Sequence, residues 1–368
     1  MGDYMKDLKI CVYAICKNEE KFVNRFMDHL EEIKDHVYIL DTGSTDNTVE
    51  LFKKRGAHIQ KTNYSKFEFD KARNDALALV PKDYDVCMCL DLDDCIEPGF
   101  VDKIKKNWKK DTTIMKYTYI TRLDENDNPL VSFNNNHIHK RKGYYWTYPI
   151  HEVLRYTGDN ENVVEALDIV VKHRPDISKS RDFYLELLEE YVKDHPDNTR
   201  NIFLLTREYN SKNKWIESIT TAHKYLRCSP YYKPEICKIM TIMAKAYIKL
   251  ECYEEAELWS KKALEQIQDS REPYIPLILL SYKQKEYKKA IDYCKEALKI
   301  TEYNTLVIDD AACWNGTILD YLSLSYYYIH DYDNAIKYVD MDIEQNPQVE
   351  RLKENRELFI RAKNREED

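Results

Sequence analysis

The sequence predicts an α/β plus all-α architecture: a mostly parallel sheet with helices on both faces, then a domain of helical repeats. Three observations carry that reading. Short apolar runs alternate with helical stretches through the first half. Six of the seven glycines (Gly2, Gly43, Gly56, Gly99, Gly143 and Gly158) fall there, and only Gly316 lies beyond. Tight turns and phosphate-approaching loops use glycine, whereas a helical array can do without it. From Ser178 onward the pattern reads as helical and repeats. A chain of 368 residues suits about two domains, placed at 1–177 and 178–368.

The elements follow in order. LKICVYAI reads as a strand, Lys17–Ile33 as an amphipathic helix and HVYILDT as a second strand. Thr45–Arg55 is a second helix, opened by the capping cluster Ser44, Thr45 and Asp46. AHIQKT is a short third strand and Phe69–Leu79 a helix. YDVCMCLDLDD is an apolar strand that ends in acids, and Pro98–Lys109 is a helix. TTIMKYTYITRL and PLVSFNNNHIHK flank a turn at Asp124–Pro129, and YYWTYPIHEVLRY follows. These read as hairpin strands appended to the sheet. EALDIVVKHRPD is the last strand.

The second half repeats YEEAELWSKKAL, YKKAIDYCKEAL and YDNAIKYVDMDI. Each unit opens Y-x-x-A, at Tyr253/Ala256, Tyr287/Ala290 and Tyr332/Ala335, in steps of 34 and 45 residues. Trp215 opens an earlier unit 38 residues before Tyr253. A 34-residue step with a small residue at the helix crossing is tetratricopeptide grammar. The extra residues of the longer step fall in TEYNTLVIDDAACWNG, read as a lengthened helix or loop.

Composition excludes several classes. The net charge of −9 argues against nonspecific nucleic-acid binding. No run of apolar residues is long enough for a transmembrane helix. MGDYMKDLKI has no apolar signal core, so the expected location is cytoplasmic. None of the ten cysteines forms C-x-x-C, so they are expected as small buried hydrophobes in a reducing compartment.

Chemistry concentrates in a few strings. Asp91-Leu92-Asp93-Asp94 follows the buried run VCMCL, where open α/β sheets bind ligands. Strand alternation would send Asp91 and Asp93 the same way, and two hard oxygen donors there suit Mg²⁺ or Mn²⁺ and a diphosphate. Asp41 ends HVYIL beside a glycine turn, placed to accept from a base N–H or ribose hydroxyl. In ICKNEE, Lys17 supplies a cation for phosphate and Glu19 an acceptor for ribose. Arg73 in FDKARNDAL could grip phosphate bidentately. His151-Glu152 in YPIHEVL offers a general base and a metal or phosphate contact. His173 in VVKHRPD could close the site as a third metal ligand.

CVYAICKNEE, ILDTGSTDNT, FDKARNDAL, LDLDD and IHEVL, in that order, resemble glycosyltransferase family 2 over residues 8–175. With the added repeats, the layout resembles peptide glycosyltransferases that modify bacteriocin precursors. The resemblance implies a GT-A fold, a UDP-linked sugar donor and inversion at the anomeric carbon. It would place Ile15, Lys17, Glu19, Asp41, Arg73 and Asp91 at the nucleotide. Asp91 and Asp93 would sit at Mn²⁺ or Mg²⁺, joined on the residue reading by His173, and His151 and Glu152 would lie at the acceptor, with Glu152 as base. The sequence departs from that group in holding Trp146, Thr147 and Tyr148 where those enzymes carry a His. The expected acceptor is a Ser, Thr or Cys side chain of a polypeptide. A saccharide acceptor, and a repeat adaptor without catalysis, stay open at this point. The repeats are read as recruiting the acceptor, pairing two chains or buttressing the catalytic half.

Overall fold

Strand β1 (Ile10–Cys16) is buried along almost its whole length, as a central strand covered on both faces must be. Its alternation splits the hydrophobic core in two. Ile10, Val12, Ala14 and Cys16 join Phe22, Phe26 and Met27 of helix α1 (Glu20–His29) and Phe52 of α2 (Thr48–Lys54). Cys11 and Tyr13 face the other way, onto Ala76 and Leu77 of α3 (Phe69–Leu79). Strand β4 (Val86–Cys89) repeats the split, with Val86 and Met88 on the first face and Cys87 and Cys89 on the second. The computed structural model that describes this arrangement covers residues 8–124, 126–176, 183–302 and 313–367.

Six further strands complete the main sheet: β2 (Val37–Asp41), β3 (His58–Lys61), β5 (Asp94–Ile96), β6 (Ile114–Leu123), β7 (Pro129–Lys140) and β10 (Val163–His173). The order is β3-β2-β1-β4-β7-β6-β10-β5. The four strands from β3 to β4 are parallel, as are β6 and β10, while β7 and β5 run against their neighbours. This is a mostly parallel, GT-A-like sheet. Helix α4 (Phe100–Asn107) seals the first face through Phe100 and Ile104.

Three local expectations need correction. The expected helix at Lys17–Ile33 is shorter: residues 17–19 form a loop with Asn18 at φ +54, and the chain tightens into a 3-10 stretch after α1. The second helix starts at Thr48, where Asp46 Oδ1 accepts from the Thr48 N–H at 3.0 Å. Ser44 does not cap it; its Oγ accepts from the Asn18 N–H at 2.8 Å. Finally, β8 (Tyr144–Thr147) and β9 (Val153–Tyr156) do not extend the main sheet but pair in their own ladder.

The reason is packing. Tyr144, Trp146 and Leu154 turn into the α3-side core and lie over the sheet instead of beside it. The Trp146 indole donates to the Tyr13 hydroxyl at 2.8 Å. An indole can only donate, so Tyr13 gives its own proton to His139 Nε2, 2.9 Å away. His139 Nδ1–H then donates to the Lys140 carbonyl at 2.9 Å. Burial pulls His139 down to about 4, and the imidazole is neutral at physiological pH.

The chain divides into two units, 1–187 and 188–368. Helix α5 (Phe183–Asp194) spans the division. The second unit is built of helical hairpins: α6 (Thr199–Ser211) with α7 (Trp215–Arg227), α8 (Lys233–Lys249) with α9 (Tyr253–Gln266), α10 (Tyr274–Lys283) with α11 (Tyr287–Leu298), and α12 (Thr317–Tyr328) with α13 (Tyr332–Gln345). Helix α14 (Glu350–Glu367) covers the end. Ala256, Ala290 and Ala335 are fully buried, as their place in the repeat requires. Residues 303–312, the bulk of TEYNTLVIDDAACWNG, lie outside the described residues.

One turn recurs in all four hairpins. Asn213, Glu251, Lys285 and His330 adopt φ between +59 and +64. After each, the next N–H reaches back five residues: Lys214 to Tyr209, Cys252 to Tyr247, Glu286 to Ser281 and Asp331 to Tyr326, at 2.8–3.0 Å. This is the Schellman closure, which satisfies the helix's last carbonyls with a single left-handed residue. Glycine is the usual choice at that position; this array uses other residues throughout.

Candidate active site

Cys16 and Asp41 are partners across the parallel pair β1–β2, so the loops after these strands start side by side. Polar contacts zip them together. The Thr45 N–H donates to Asn18 Oδ1 at 2.8 Å, the Glu19 N–H to Thr48 Oγ1 at 2.8 Å, and the Asn47 N–H to Glu20 Oε2 at 3.0 Å. Lys17 stands exposed beside the partly buried Ile15 and Glu19. Asp41 differs from the expected ligand contact. It is fully buried, and Oδ1 accepts from the N–H groups of Gly43 and Ser44 at 3.1 and 3.0 Å. An Asp side chain that closes its own turn in this way is an Asx turn. Its carboxylate holds the loop's shape.

Arg73 lies in the second turn of α3 and is buried. Its Nη2 donates to Asp91 Oδ1 at 2.8 Å, and its Nε pairs with Glu152 Oε1. The guanidinium also lies over the Trp146 ring, 5.1 Å from its centre. Arg73 therefore links the acidic turn after β4 to the connection between β8 and β9. Burial alone would raise Asp91, but the Arg73 charge outweighs it and holds the carboxyl below its ordinary value. His151, at φ +51, is exposed next to the aromatic ring of Tyr184, 6.3 Å between ring centres.

Asp91 and Asp93 sit in a turn, not in a strand, and Asp94 opens β5. The Asp94 N–H donates to the Asp91 carbonyl at 3.0 Å, closing residues 91–94. Alternation therefore does not carry Asp91 and Asp93 to one side. Asp91 faces Arg73, while Asp93 and Asp94 face His173, whose Nδ1 is 3.6 Å from Asp93 Oδ1 and 3.1 Å from Asp94 Oδ1. Antiparallel pairing of β5 with β10 sets His173 opposite Asp94. One ligand atom from each of Asp93, Asp94 and His173 lies within 4.8 Å of the others. Two carboxylate oxygens and an imidazole nitrogen fit Mn²⁺ or Mg²⁺, and the nitrogen leans toward Mn²⁺. Burial pulls His173 down, but the bond to Asp94 and the Asp93 charge outweigh it, leaving the imidazole above its ordinary value. Burial pushes Asp94 up, although Tyr119 donates to it at 2.7 Å and the Asp91 N–H at 3.0 Å.

Between Arg73–Asp91 and Asp94–Tyr119 opens a cavity of about 300 Å³, flanked by β7. Phe133, Asn135 and His137 line it, one every second residue along that strand. Burial and the nearby Arg73 charge pull His137 down to about 3, so it presents a neutral ring. Sequence reasoning missed Asn135, His137, Tyr119 and Asp94. The alternation within FNNNHIH was the available signal for the first two. Asp94 stood in the quoted acidic string, but the D-x-D spacing drew attention past it.

The strand ends of the sheet thus carry an acidic turn, a buried arginine and a polar cavity. Residues 11–156 match the sequence profile of the family described as Glycosyl transferase family 2. These residues form a glycosyltransferase domain. No curated protein matches the chain. Solved structures that match include TPR proteins. TTC0263, a TPR protein in Thermus thermophilus, is 18% identical over 49% of this chain and 89% of its own, with a TM-score of 0.37. MamA is 16% identical over 45% of this chain and 87% of its own, with a TM-score of 0.37. The APC/C assembly Cut9–Hcn1 is 11% identical over 49% of this chain, with a TM-score of 0.41, and this chain spans only 33% of that one. Among the described residues, no helix is long and apolar enough to cross a membrane.

Proposed function

We propose that the protein transfers a hexose or N-acetylhexosamine from a UDP-sugar to a Ser, Thr or Cys side chain of a polypeptide, with inversion and with a divalent cation. The observation that carries the reading is the juxtaposition of Asp93, Asp94 and His173 with the cavity at Arg73 and Asp91. The three ligands would hold Mn²⁺ or Mg²⁺, which neutralises charge on the departing diphosphate. Lys17, exposed on the loop after β1, adds a cation on the phosphate side. The sugar occupies the cavity, where Asn135 offers both a donor and an acceptor to its hydroxyls.

Glu152, held by Arg73, takes the proton from the acceptor O–H or S–H. The freed lone pair forms the new bond to the anomeric carbon. The bond from that carbon to the phosphate oxygen breaks, and its electrons leave with UDP. Attack from the face opposite the leaving group inverts the centre. His151, exposed beside Glu152, lies on the acceptor side. The chain also resembles enzymes such as the sublancin S-glycosyltransferase in joining such a domain to repeats, which supports a polypeptide acceptor.

Calorimetry tests the donor and the metal together. UDP should release heat with Mn²⁺ present and far less without it. Absence of heat with every nucleoside diphosphate, with or without metal, overturns the reading. Asp93→Ala should lower turnover by about a thousandfold and remove the Mn²⁺-dependent part of UDP binding. Near-normal turnover in that variant removes the metal role.

A further inference from the structure

The repeat unit holds a groove of about 590 Å³ that the transferase site does not use. Helices α8, α10 and α12 supply much of its lining. Its lining is cationic and aromatic. The chain carries a net charge of −9, yet among the described residues Lys245, Lys249, Lys283 and Lys285 line this groove and no carboxylate does. Lys249 and Lys285 stand exposed at its rim. Two of the lysines have acid neighbours, Lys283 at 3.2 Å from Glu251 and Lys245 at 3.9 Å from the buried Glu272; the exposed Lys283 pair is screened, and Lys249 and Lys285 supply the charge at the rim. The groove remains a cationic strip on an anionic molecule.

Between the lysines lies aromatic surface. Tyr282 and Tyr287 pack against Tyr328, with the Tyr287 and Tyr328 rings stacked at 4.6 Å and 9°. Tyr321 meets Tyr282 edge-on at 5.1 Å. Such a cluster gives rigid contact area at little entropic cost, with hydroxyl tips for hydrogen bonding. At the groove's α6 end the carboxamide oxygen of Asn210 is buried with no hydrogen-bond partner among the described residues. A buried acceptor left open favours a ligand that brings an N–H.

We propose that this groove docks an acidic, extended polypeptide segment, whose carboxylates meet the lysines, whose apolar side chains lie on the tyrosines and whose backbone amide reaches Asn210. The segment belongs to the acceptor polypeptide; that assignment rests on the transferase reading, while the docking chemistry does not. Charge complementarity selects this occupant. A basic segment would be repelled, and a second copy docked through the same groove would set its lysine strip against the first.

The test uses the full chain and a short fluorescein-labelled peptide alternating Glu with Leu, against a Lys-Leu peptide of equal length. Anisotropy should show binding of the acidic peptide alone, weakening as salt rises. The double variant Lys249→Glu with Lys285→Glu should bind about tenfold more weakly, while Lys249→Arg with Lys285→Arg keeps the affinity and reports that the fold is intact. Equal binding of the two peptides, or undiminished binding by the Glu variant, overturns the proposal. So does a concentration-dependent dimer in sedimentation that the Glu variant dissolves, which would give the groove to a second copy. UDP calorimetry on the same variants separates the two readings: retained UDP heat without peptide binding sinks the groove alone, and peptide binding without UDP heat sinks the donor reading alone.

Discussion

The two units differ in the balance of polar groups they bury. In the sheet unit, the buried set includes Asp41, Arg73, Asp94 and His139, each answered by named partners. In the repeat unit the buried set is largely hydroxyls, Thr206, Ser218, Ser260, Ser281, Ser323 and Ser325 among them, with Glu272 and Asp342 as its buried carboxylates. Several of these return a proton to the carbonyl one turn back, as Thr206 does to Ile202 and Ser260 to Ala256. A hydroxyl satisfied by its own helix is nearly neutral energetically. A buried charge is tolerated only where its partner is in place. The sheet unit therefore concentrates its vulnerability at the site, and the repeat unit spreads its stability over repeated packing.

Removing the arginine between two acids should break that contrast most sharply. Arg73→Met leaves Asp91 and Glu152 without their shared cation and should cost about 3 kcal/mol, at the low end of such effects because the Asp91 side chain remains 45% exposed. Urea denaturation measures it, and a loss no larger than that of Ser260→Ala would erase the distinction between the units. Enlarging a repeat crossing comes next. Ala290 is fully buried, so Ala290→Leu should cost about 2 kcal/mol through overpacking while UDP binding is unchanged. Altered UDP heat in that variant would show that the repeats support the donor site.

The smallest effect is a slope with pH. His137 and His139 lie at about 3 and about 4 in the folded chain, below the ordinary 6.5. Between those values the unfolded chain binds protons that the folded chain refuses. Stability is therefore full above the ordinary value and falls as pH drops through the window, by about 1.4 kcal/mol per unit for each ring. His139→Gln should flatten the stability slope between pH 6.5 and 4 relative to the parent; an unchanged slope would mean that His139 takes up its proton while still folded.

Much of this was legible in residues. Phe69–Leu79 is a helix over the span its pattern predicts, and the alternation of CVYAIC assigns its side chains to two cores. The Y-x-x-A units mark real helix starts. What escaped was decided by distant partners. Nothing within YYWTYPIHEVLRY says that Trp146 finds the Tyr13 hydroxyl and lifts its hairpin off the sheet. Strand alternation at Asp91–Asp93 failed because a turn hydrogen bond replaces the strand there. Asp41 reads the same whether its carboxylate meets a ligand or its own loop amides; burial distinguishes the two.

The left-handed joint shared by Asn213, Glu251, Lys285 and His330 carries a wider consequence. In every hairpin the second helix opens two residues after the joint, at Trp215, Tyr253, Tyr287 and Tyr332. The interval from one joint to the next varies, while the reversal inside each pair does not. Growth of the array is thus permitted at one kind of seam and forbidden at the other. The longer step before Tyr332 places its added residues between pairs, while the turn inside that pair keeps the same form.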